Sequence, residues 1–381
     1  MISICHVITE LGAGGAEKML LRLLSAMDRN EFRNRVISLG PDGTVGSEIR
    51  ALDIPVLALG VGGLRGCLNG LWRLSERIVS DRPDILQTWM YHANLLGSLA
   101  ALPMKRHIPL VWNIRRGWLD RRMDKRATLW TSRACACLSQ LLPSRIVCCS
   151  EAARIRHAAG GYSTGKMIVI PNGFDTEKFR PDPDARLALR RQLGAGPETI
   201  LVGLVARFDA TKDHGNFLRA AAIVAARRPQ VRFVLCGKDV EWGNAALERV
   251  IGGLELRGRV RLLGLRDDVS RLLAALDVAV SSSRIESFPN AIAEAMACGV
   301  PCVATDAGES RRIVGDTADI VAPGDAEALA RGIEKLCDAG AGRRAELGAA
   351  GRKRVAENYG LRAVTHQYEL LYRELTSSCA E

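Results

Sequence analysis

Short apolar runs alternate with helical patterns along almost the whole chain, and this alternation limits the possible folds more than any other feature. The apolar runs predict strands at Ile2–Ile8, Arg35–Leu39, Val56–Leu59, Ile85–Thr88, Leu110–Asn113, Ile146–Ser150, Met167–Ile170, Ile200–Leu204, Arg232–Cys236, Val260–Leu263, Val278–Ser281 and Cys302–Thr305. Unbroken apolar strands separated by helices are typical of parallel sheets covered on both faces. A chain of 381 residues also exceeds what one ordinary core supports. We therefore predict two doubly wound, Rossmann-like α/β domains that face each other across a cleft at the carboxyl ends of their strands.

A break in the alternation indicates where the first domain ends. Pro171-Asn172-Gly173 interrupts the pattern, and Pro181 and Pro183 follow within a polar stretch, which favours a linker. The segments that we predict are an N-terminal domain over residues 1–175, a C-terminal domain over residues 176–360, and a C-terminal helix over residues 361–381 that packs back toward the N-terminal domain.

The charge of the chain indicates the class of its partners. The formal net charge is +11, which favours nucleotide diphosphates, phospholipid surfaces or nucleic acid. Nucleic acid is disfavoured because aromatic residues make up 5% of the chain and no nucleic-acid motif is present. The remaining partner classes are phosphorylated small molecules and anionic membrane surfaces.

Cysteine placement argues against a metal site. The chain has 11 cysteines, of which Cys5 and Cys236 lie in apolar runs that resemble buried strands. The pair Cys135-x-Cys137 lacks a second pair at zinc-site spacing. We expect no bound metal, and cysteines that act as small buried hydrophobes in a reducing cytoplasm.

The start of the chain predicts a cytoplasmic location. Met1–Ile8 has no basic start and leads directly into Thr9-Glu10, so it does not resemble a signal peptide. No apolar stretch approaches the roughly 20 residues that a membrane-spanning helix needs. We expect a protein that is cytoplasmic or peripheral at the inner face of the cytoplasmic membrane.

A glycine-rich turn follows the first predicted strand. It reads Gly12-Ala13-Gly14-Gly15-Ala16-Glu17 and precedes a helical pattern. Glycines allow close approach of the backbone to a ligand, and a helix N-terminus presents N–H groups to an anion. The spacing is not that of a dinucleotide site, and an ordinary tight turn explains it equally well.

Two cations follow the strand Ile200–Leu204. Arg207 and Lys212 suit a diphosphate, because a guanidinium binds it in fork geometry and an ammonium acts as a point charge. Taken in isolation, the two residues are better explained as solvated surface charge.

The most informative segment runs from Ser281 to Pro301. A strand ends near Ser281 and a polar loop carries Glu286. Pro289 suits the first turn of a helix that carries Glu294 and stops at Gly299. The helix N-terminus suits a pyrophosphate, and carboxylates on either side suit the hydroxyls of a sugar or a ribose.

This segment resembles the Glu-x7-Glu signature of the retaining GT-B glycosyltransferases of family four. The resemblance extends over nearly the whole chain. The matching motifs are Gly14-Gly15-Ala16-Glu17, Tyr91-His92-Ala93-Asn94, Ile170-Pro171-Asn172-Gly173-Phe174-Asp175, Arg207 with Lys212, Gly264-Leu265-Arg266-Asp267-Asp268-Val269, and Glu286 through Glu294. Their order is specific for the family but not for the sugar. The resemblance implies the GT-B fold and the transfer of a sugar, with retention, from a nucleotide-diphosphate sugar. The implied acceptor is a sugar or a lipid-linked molecule, in polysaccharide, glycolipid or other glycoconjugate biosynthesis.

The resemblance also implies roles for individual residues. Arg207 and Lys212 are similar to the pair that neutralises the donor diphosphate, and Glu294 to the carboxylate on the ribose. Glu286 is similar to the residue on the transferred sugar. The remaining residues implied in donor binding or catalysis are His92 beside the donor sugar, the glycines Gly14 and Gly15, and the backbone of Ser287, Phe288, Pro289 and Asn290. Many relatives have Gly-Phe-Gly where this chain has Ser287-Phe288-Pro289, so the contacts of this loop with sugar hydroxyls stay open.

The resemblance implies no cofactor and no metal, because side-chain cations and a helix end neutralise the leaving diphosphate. Two alternatives remain open from the residues themselves. One is a GT-B sugar-nucleotide epimerase, against which the spacing of Glu286 and Glu294 argues. The other is a non-enzymatic anion-binding protein. Outside the family context, His92 is better explained as a core histidine.

A basic stretch between Lys105 and Arg133 is consistent with contact with an anionic membrane. Its basic residues are Lys105, Arg106, Arg115, Arg116, Arg121, Arg122, Lys125, Arg126 and Arg133, interleaved with Trp118, Leu119, Met123, Leu129 and Trp130. A basic segment with large apolar residues can lie on such a surface, and a solvated helix with a core face is the alternative.

Overall fold

The computed structural model of the chain describes residues 1–12, 14–61, 63–104, 108–117, 119–120 and 124–377, with the side chains of residues 63–67 excepted. The chain divides into two compact units. The first contains Met1–Gly173 and the C-terminal segment that begins at Leu361, and the second is Phe174–Gly360. Residues 378–381, the end of the predicted C-terminal helix, lie outside the described residues.

The first unit contains a parallel sheet with helices between successive strands. Its strands are β1 (Ile2–Ile8), β2 (Phe32–Ser38), β3 (Val56–Ala58), β4 (Ile85–Trp89), β5 (Leu110–Ile114), β6 (Arg145–Cys148) and β7 (Met167–Val169). Its helices are α1 (Gly15–Ala26), α2 (Thr44–Arg50), α3 (Gly63–Asp81), α4 (Tyr91–Ala101), α5 (Arg126–Leu138), α6 (Glu151–Ala159) and, from the end of the chain, α15 (Leu361–Ser377).

The second unit repeats this architecture. Its strands are β8 (Ile200–Val205), β9 (Val231–Cys236), β10 (Val260–Leu262), β11 (Val278–Ser281), β12 (Cys302–Thr305) and β13 (Asp319–Val321). Its helices are α7 (Pro183–Gln192), α8 (His214–Arg227), α9 (Ala245–Gly253), α10 (Val269–Ala275), α11 (Asn290–Ala297), α12 (Ser310–Val314), α13 (Ala326–Asp338) and α14 (Gly340–Tyr359).

The strand order places a topological switch point in each sheet. The seven-stranded sheet has the order β3-β2-β1-β4-β5-β6-β7, and the six-stranded sheet has the order β10-β9-β8-β11-β12-β13. In the first sheet, successive strands are added toward one edge from β1 to β3 and toward the other edge from β4 onward, so the switch point lies between β1 and β4. In the second sheet it lies between β8 and β11. Ligands of doubly wound sheets bind outside the carboxyl ends of the strands at such a point. The loops after β1, β4, β8 and β11 are therefore the places where a site is expected.

Helix α15 completes the core of the first unit. Its residues Tyr368 and Tyr372 are fully buried with the large aromatics of the sheet. The Tyr372 hydroxyl donates to Gln87 Oε1 at 2.5 Å, and Asn113 Nδ2 donates to the Tyr368 hydroxyl at 2.9 Å. These bonds satisfy polar groups that would otherwise be costly to bury beneath a helix.

The predicted strands are confirmed to within a few residues at their ends, and one strand was missed. Strand β13 has three half-buried residues, including an aspartate, so it lacks the apolar run by which the others were found. The prediction that the cysteines are buried holds for Cys5 and Cys236 but is wrong for Cys137, which is exposed on α5. Burial raises the pKa of the Cys5 thiol to about 12 and that of Cys236 to about 11, so both are protonated and unreactive at neutral pH.

Candidate active site

The loop after β8 forms a turn held by its own side chains. Asp209 Oδ1 accepts hydrogen bonds from the amide and hydroxyl of Thr211, at 2.9 and 2.6 Å. Asp213 then adopts a left-handed conformation (φ 47°) and caps α8 by accepting from the Asn216 amide at 3.0 Å. Aspartate is one of the few residues other than glycine that tolerates this conformation and also caps a helix. The turn fixes the backbone on both sides of Lys212.

Arg207 and Lys212 lie in different environments on this loop. The Arg207 side chain is 60% exposed and meets Asp209 only at 3.4 Å. The Lys212 side chain is 19% exposed and forms an ion pair with Glu286 Oε1. Arg207 can therefore reorient toward a ligand, whereas Lys212 is already held in place.

The loop after β11 is joined to the loop after β8 by hydrogen bonds. The Arg284 amide donates to the Thr211 carbonyl at 2.7 Å, and the Ser282 hydroxyl donates to the Lys212 carbonyl at 2.8 Å. These contacts tie together the two loops of the switch point. They place Lys212 beside Glu286 although 74 positions separate the two residues in sequence.

Glu286 is held by two partners at one oxygen. Its Oε1 accepts from the Ser283 hydroxyl at 2.8 Å and contacts the Lys212 ammonium, and the Glu286 side chain is only 11% exposed. A half-buried ammonium beside a carboxylate can bind a phosphate oxygen and a sugar hydroxyl at neighbouring positions. Removing either partner would leave the other charge poorly solvated.

Gly308 supports the backbone of Glu286. It follows β12, has a φ of +58°, and a Cβ atom built on it would lie 2.3 Å from the Glu286 carbonyl oxygen. Only glycine combines this conformation with so close an approach. Sequence reasoning missed Gly308. The available signal was a glycine three residues beyond a buried strand, at the edge of the sheet where ligands bind.

Helix α11 carries the second carboxylate of the motif. Glu294 is the fifth residue of the helix and is half-buried. Pro289 precedes the first helical residue, Asn290, so it lies one position earlier than the first turn in which sequence placed it. Its fixed φ still leads the chain into the helix.

Phe288 anchors the loop between Glu286 and α11. Its ring is buried and packs 6.0 Å from Phe174 and 5.7 Å from Tyr359, centroid to centroid. The side chain is therefore occupied by packing within the second unit, and only the backbone of Phe288 remains for a ligand.

The predicted site residues of the first unit lie at its own switch point. Gly14 caps α1, and Gly15 is the first residue of that helix. A Cβ atom at Gly14 would lie 2.3 Å from the carboxylate of Glu17, so a larger residue here would displace the end of that flexible side chain. Burial raises the pKa of Glu17 above its ordinary value. Ala13, within the same motif, lies outside the described residues.

His92 follows a strained residue at the end of β4. Met90 has φ 72° and ψ 165°, a region that is costly for any residue with a side chain and that is concentrated at functional sites. His92 is the second residue of α4 and is half-buried. Burial and the charge of Lys125 lower the pKa of His92, so its imidazole is neutral at pH 7. Because β1 pairs with β4, with Ile8 opposite Trp89, His92 and Gly14 follow adjacent strands.

Comparison with known proteins identifies the family. A model of glycosyltransferase family 4 matches residues 13–178, and a model of glycosyl transferases group 1 matches residues 199–339. The chain belongs to the group 1 glycosyltransferases of family four. The putative glycosyltransferase EpsF of Bacillus subtilis is 25% identical to it over 80% of this chain and 79% of the relative.

A second relative of this glycosyltransferase comes from Escherichia coli. It is the UDP-Gal:alpha-D-GlcNAc-diphosphoundecaprenol alpha-1,3-galactosyltransferase, also 25% identical over 80% of this chain and 79% of its own. The Anabaena protein HepE, solved in complex with UDP, matches with a TM-score of 0.85 and 24% identity over 98% of this chain and 100% of HepE. The predicted GT-B fold and glycosyltransferase class are confirmed, and the epimerase alternative has no support.

Proposed function

We propose that this glycosyltransferase binds the diphosphate of its nucleotide-sugar donor with Arg207, Lys212 and the N-terminus of α11. The observation that carries the proposal is the Lys212–Glu286 pair, which the two loops of the second switch point hold nearly buried. An ammonium fixed before the ligand arrives stabilises the charge of the departing diphosphate without reorganisation.

The carboxylates of Glu286 and Glu294 then bind the other two parts of the donor, the sugar and the ribose. Glu286, beside Lys212, accepts hydrogen bonds from hydroxyls of the transferred sugar, with help from the backbone of Ser287–Asn290. Glu294, one turn inside α11, accepts from the ribose hydroxyls. In the N-terminal domain, His92 contacts the donor sugar as a neutral imidazole, and Gly14 and Gly15 allow backbone N–H groups to approach the donor.

We propose transfer with retention and without a metal ion. The bond between the anomeric carbon and the diphosphate oxygen breaks, and the oxygen of the acceptor hydroxyl bonds to the anomeric carbon from the same face. The hydroxyl proton passes to the departing diphosphate. Among the residues that the structure describes, no group of three or more histidine, cysteine, aspartate or glutamate side chains could hold a metal. The charge of the leaving group is met instead by Arg207, Lys212 and the helix end.

An assay with UDP-, GDP- and ADP-sugars in the presence of EDTA tests this function. We expect transfer to continue after chelation and the new glycosidic bond to keep the anomeric configuration of the donor, as read by NMR. Loss of activity that magnesium or manganese restores would contradict the metal-free mechanism. An inverted product would contradict retention, and release of an epimerised sugar nucleotide without acceptor would contradict transfer itself.

We propose a lipid-linked acceptor, used in polysaccharide or glycolipid assembly at the inner face of the cytoplasmic membrane. The Escherichia coli relative is named for an acceptor on diphosphoundecaprenol. Within the described ranges, no helix is both long and apolar enough to span a membrane. The contact that we propose with such an acceptor is peripheral.

The basic stretch provides the proposed membrane contact. Of its described residues, Arg115 bonds internally to Asn172 Oδ1 at 2.9 Å, and Arg116 pairs with Asp124 at 2.5 Å. Lys125, Arg126 and Arg133 are exposed. Six residues of the stretch lie outside the described residues, which are Lys105, Arg106, Trp118, Arg121, Arg122 and Met123. Each basic side chain near an anionic surface contributes about 1 kcal/mol, and salt screens this attraction.

Liposome flotation tests the membrane contact. We expect the protein to float with vesicles that contain anionic lipid at low salt, and to be released by high salt or by neutralising Arg121, Arg122, Lys125 and Arg126 together. The matched control neutralises four basic residues that are exposed elsewhere in the same unit, which are Arg29, Arg33, Arg50 and Arg82. A protein that floats with neither neutral nor anionic vesicles, or one whose control variant is released equally, would contradict the proposal.

A further inference from the structure

A groove of about 820 Å³ lies between α5 and α6 of the first unit. This volume is within the range of about 300–1,000 Å³ that is usual for small-molecule sites. Its described lining residues include Arg126, Trp130 and Arg133 from α5, and Arg156 and His157 from α6. None of the residues assigned above to the donor lines it.

The lining combines positive charge with apolar surface. Three arginines line the groove, and no carboxylate is among its described lining residues. The guanidinium of Arg133 stacks on Trp130 at 5.4 Å from the ring centroid, and Trp130 is 66% exposed. Leu119 and Leu129 add further apolar surface. An occupant that complements this lining has an anionic group for the arginines and a hydrocarbon part for the tryptophan and leucines.

One wall of the groove is connected by hydrogen bonds to the helix that carries His92. His157 Nδ1 lies 2.8 Å from the Ala153 carbonyl, so this nitrogen carries the proton and donates. Its Nε2 therefore accepts from the Tyr91 hydroxyl, also at 2.8 Å. Tyr91 is the residue immediately before His92. A ligand in the groove would thus contact a wall that is directly bonded to the start of α4.

We propose that this groove binds the phosphate-bearing end of the lipid-linked acceptor, with phosphate oxygens on Arg126, Arg133 and Arg156 and the first hydrocarbon units on Trp130 and Leu129. The proposal rests on the lipid-linked acceptor proposed above. The groove has a defined volume and is hydrogen-bonded to the helix that carries His92, which favours a substrate as its occupant. Bulk membrane lipid would need only a flat basic surface.

Calorimetry with farnesyl diphosphate, without any donor, tests the groove. We expect binding that weakens at least tenfold in R126Q/R133Q and in W130A, and that is unchanged in the control R29Q/R33Q, which loses the same charge. Farnesol lacks the phosphates and inorganic diphosphate lacks the chain, so each should bind at least tenfold more weakly than the complete probe.

A further variant separates the groove from the donor site. K212A should leave farnesyl diphosphate binding unchanged, whereas a probe bound at the donor diphosphate site would respond to K212A and not to R126Q/R133Q. A probe that binds more weakly to K212A but normally to R126Q/R133Q would overturn the groove assignment. Equal losses of probe affinity in R126Q/R133Q and R29Q/R33Q would also overturn it. Transfer to a prenyl-diphosphate-linked sugar is measured separately. If transfer proceeds while the groove variants bind the probe normally, the groove assignment fails and the proposed function stands.

Discussion

Replacing Lys212 by alanine is expected to lower kcat/KM for glycosyl transfer by about a hundredfold or more. The variant removes a charge-assisted contact with the diphosphate, which accounts for about 1.5–3 kcal/mol. It also leaves the carboxylate of Glu286, 11% exposed, without its ionic partner. The second effect disturbs the sugar contact as well, so kcat should fall together with donor affinity.

Arg207→Ala provides the comparison for this prediction. Arg207 is 60% exposed and holds no buried partner, so its removal costs the phosphate contact alone. We expect a loss of about tenfold, mainly in donor affinity. Steady-state kinetics with varied donor, at fixed acceptor, measures both variants. Unchanged donor affinity and turnover in both would show that these cations do not bind the diphosphate.

Replacing Gly308 by alanine is expected to lower kcat by about a hundredfold while leaving nucleotide affinity nearly intact. The added Cβ would lie 2.3 Å from the Glu286 carbonyl oxygen, so the loop that holds Glu286 must move. A displacement of about 1 Å at a positioning group can cost on the order of a hundredfold in rate. Glu294 lies on α11 and keeps its place, so ribose binding should persist.

Gly324→Ala is the matched control for Gly308→Ala. Gly324 has a φ of +81°, and a Cβ atom built on it meets nothing within 4 Å. Both variants therefore impose the strain of a positive φ, about 1–2 kcal/mol, but only Gly308→Ala collides with the site. Equal losses of activity in the two variants, or full activity in Gly308→Ala, would contradict a supporting role for Gly308. Thermal unfolding of each variant shows whether it still folds.

The architecture could be predicted because it depends on local patterns. Apolar runs of four to seven residues locate buried parallel strands, and the motif around Glu286 and Glu294 locates a loop and a helix. The strand β13 escaped this reasoning because its three residues begin with an aspartate, which leaves only two apolar residues in the strand.

The geometry of the site could not be predicted in the same way, because it depends on contacts between distant segments. The Lys212–Glu286 pair joins loops that follow different strands, and only the switch-point order of the second sheet brings them together. The strain at Met90 has no sequence signal, since methionine shows no preference for positive φ. The basic stretch was visible in the sequence, but the exposure of Trp130 and the groove beside it follow from the packing of α5 against its neighbours.

The most direct test of the account is calorimetric titration of free UDP, GDP and ADP into the wild-type protein, Glu294→Gln and Glu286→Gln. We predict that one of these nucleotides binds the wild type in EDTA and that Glu294→Gln binds it at least tenfold more weakly. Glu286→Gln should bind it at least as tightly as the wild type, because in this variant Lys212 no longer has a carboxylate that competes with the diphosphate. Binding of none of the three nucleotides, or identical affinities in the two variants, would contradict the assignment of this switch point to the nucleotide-sugar donor.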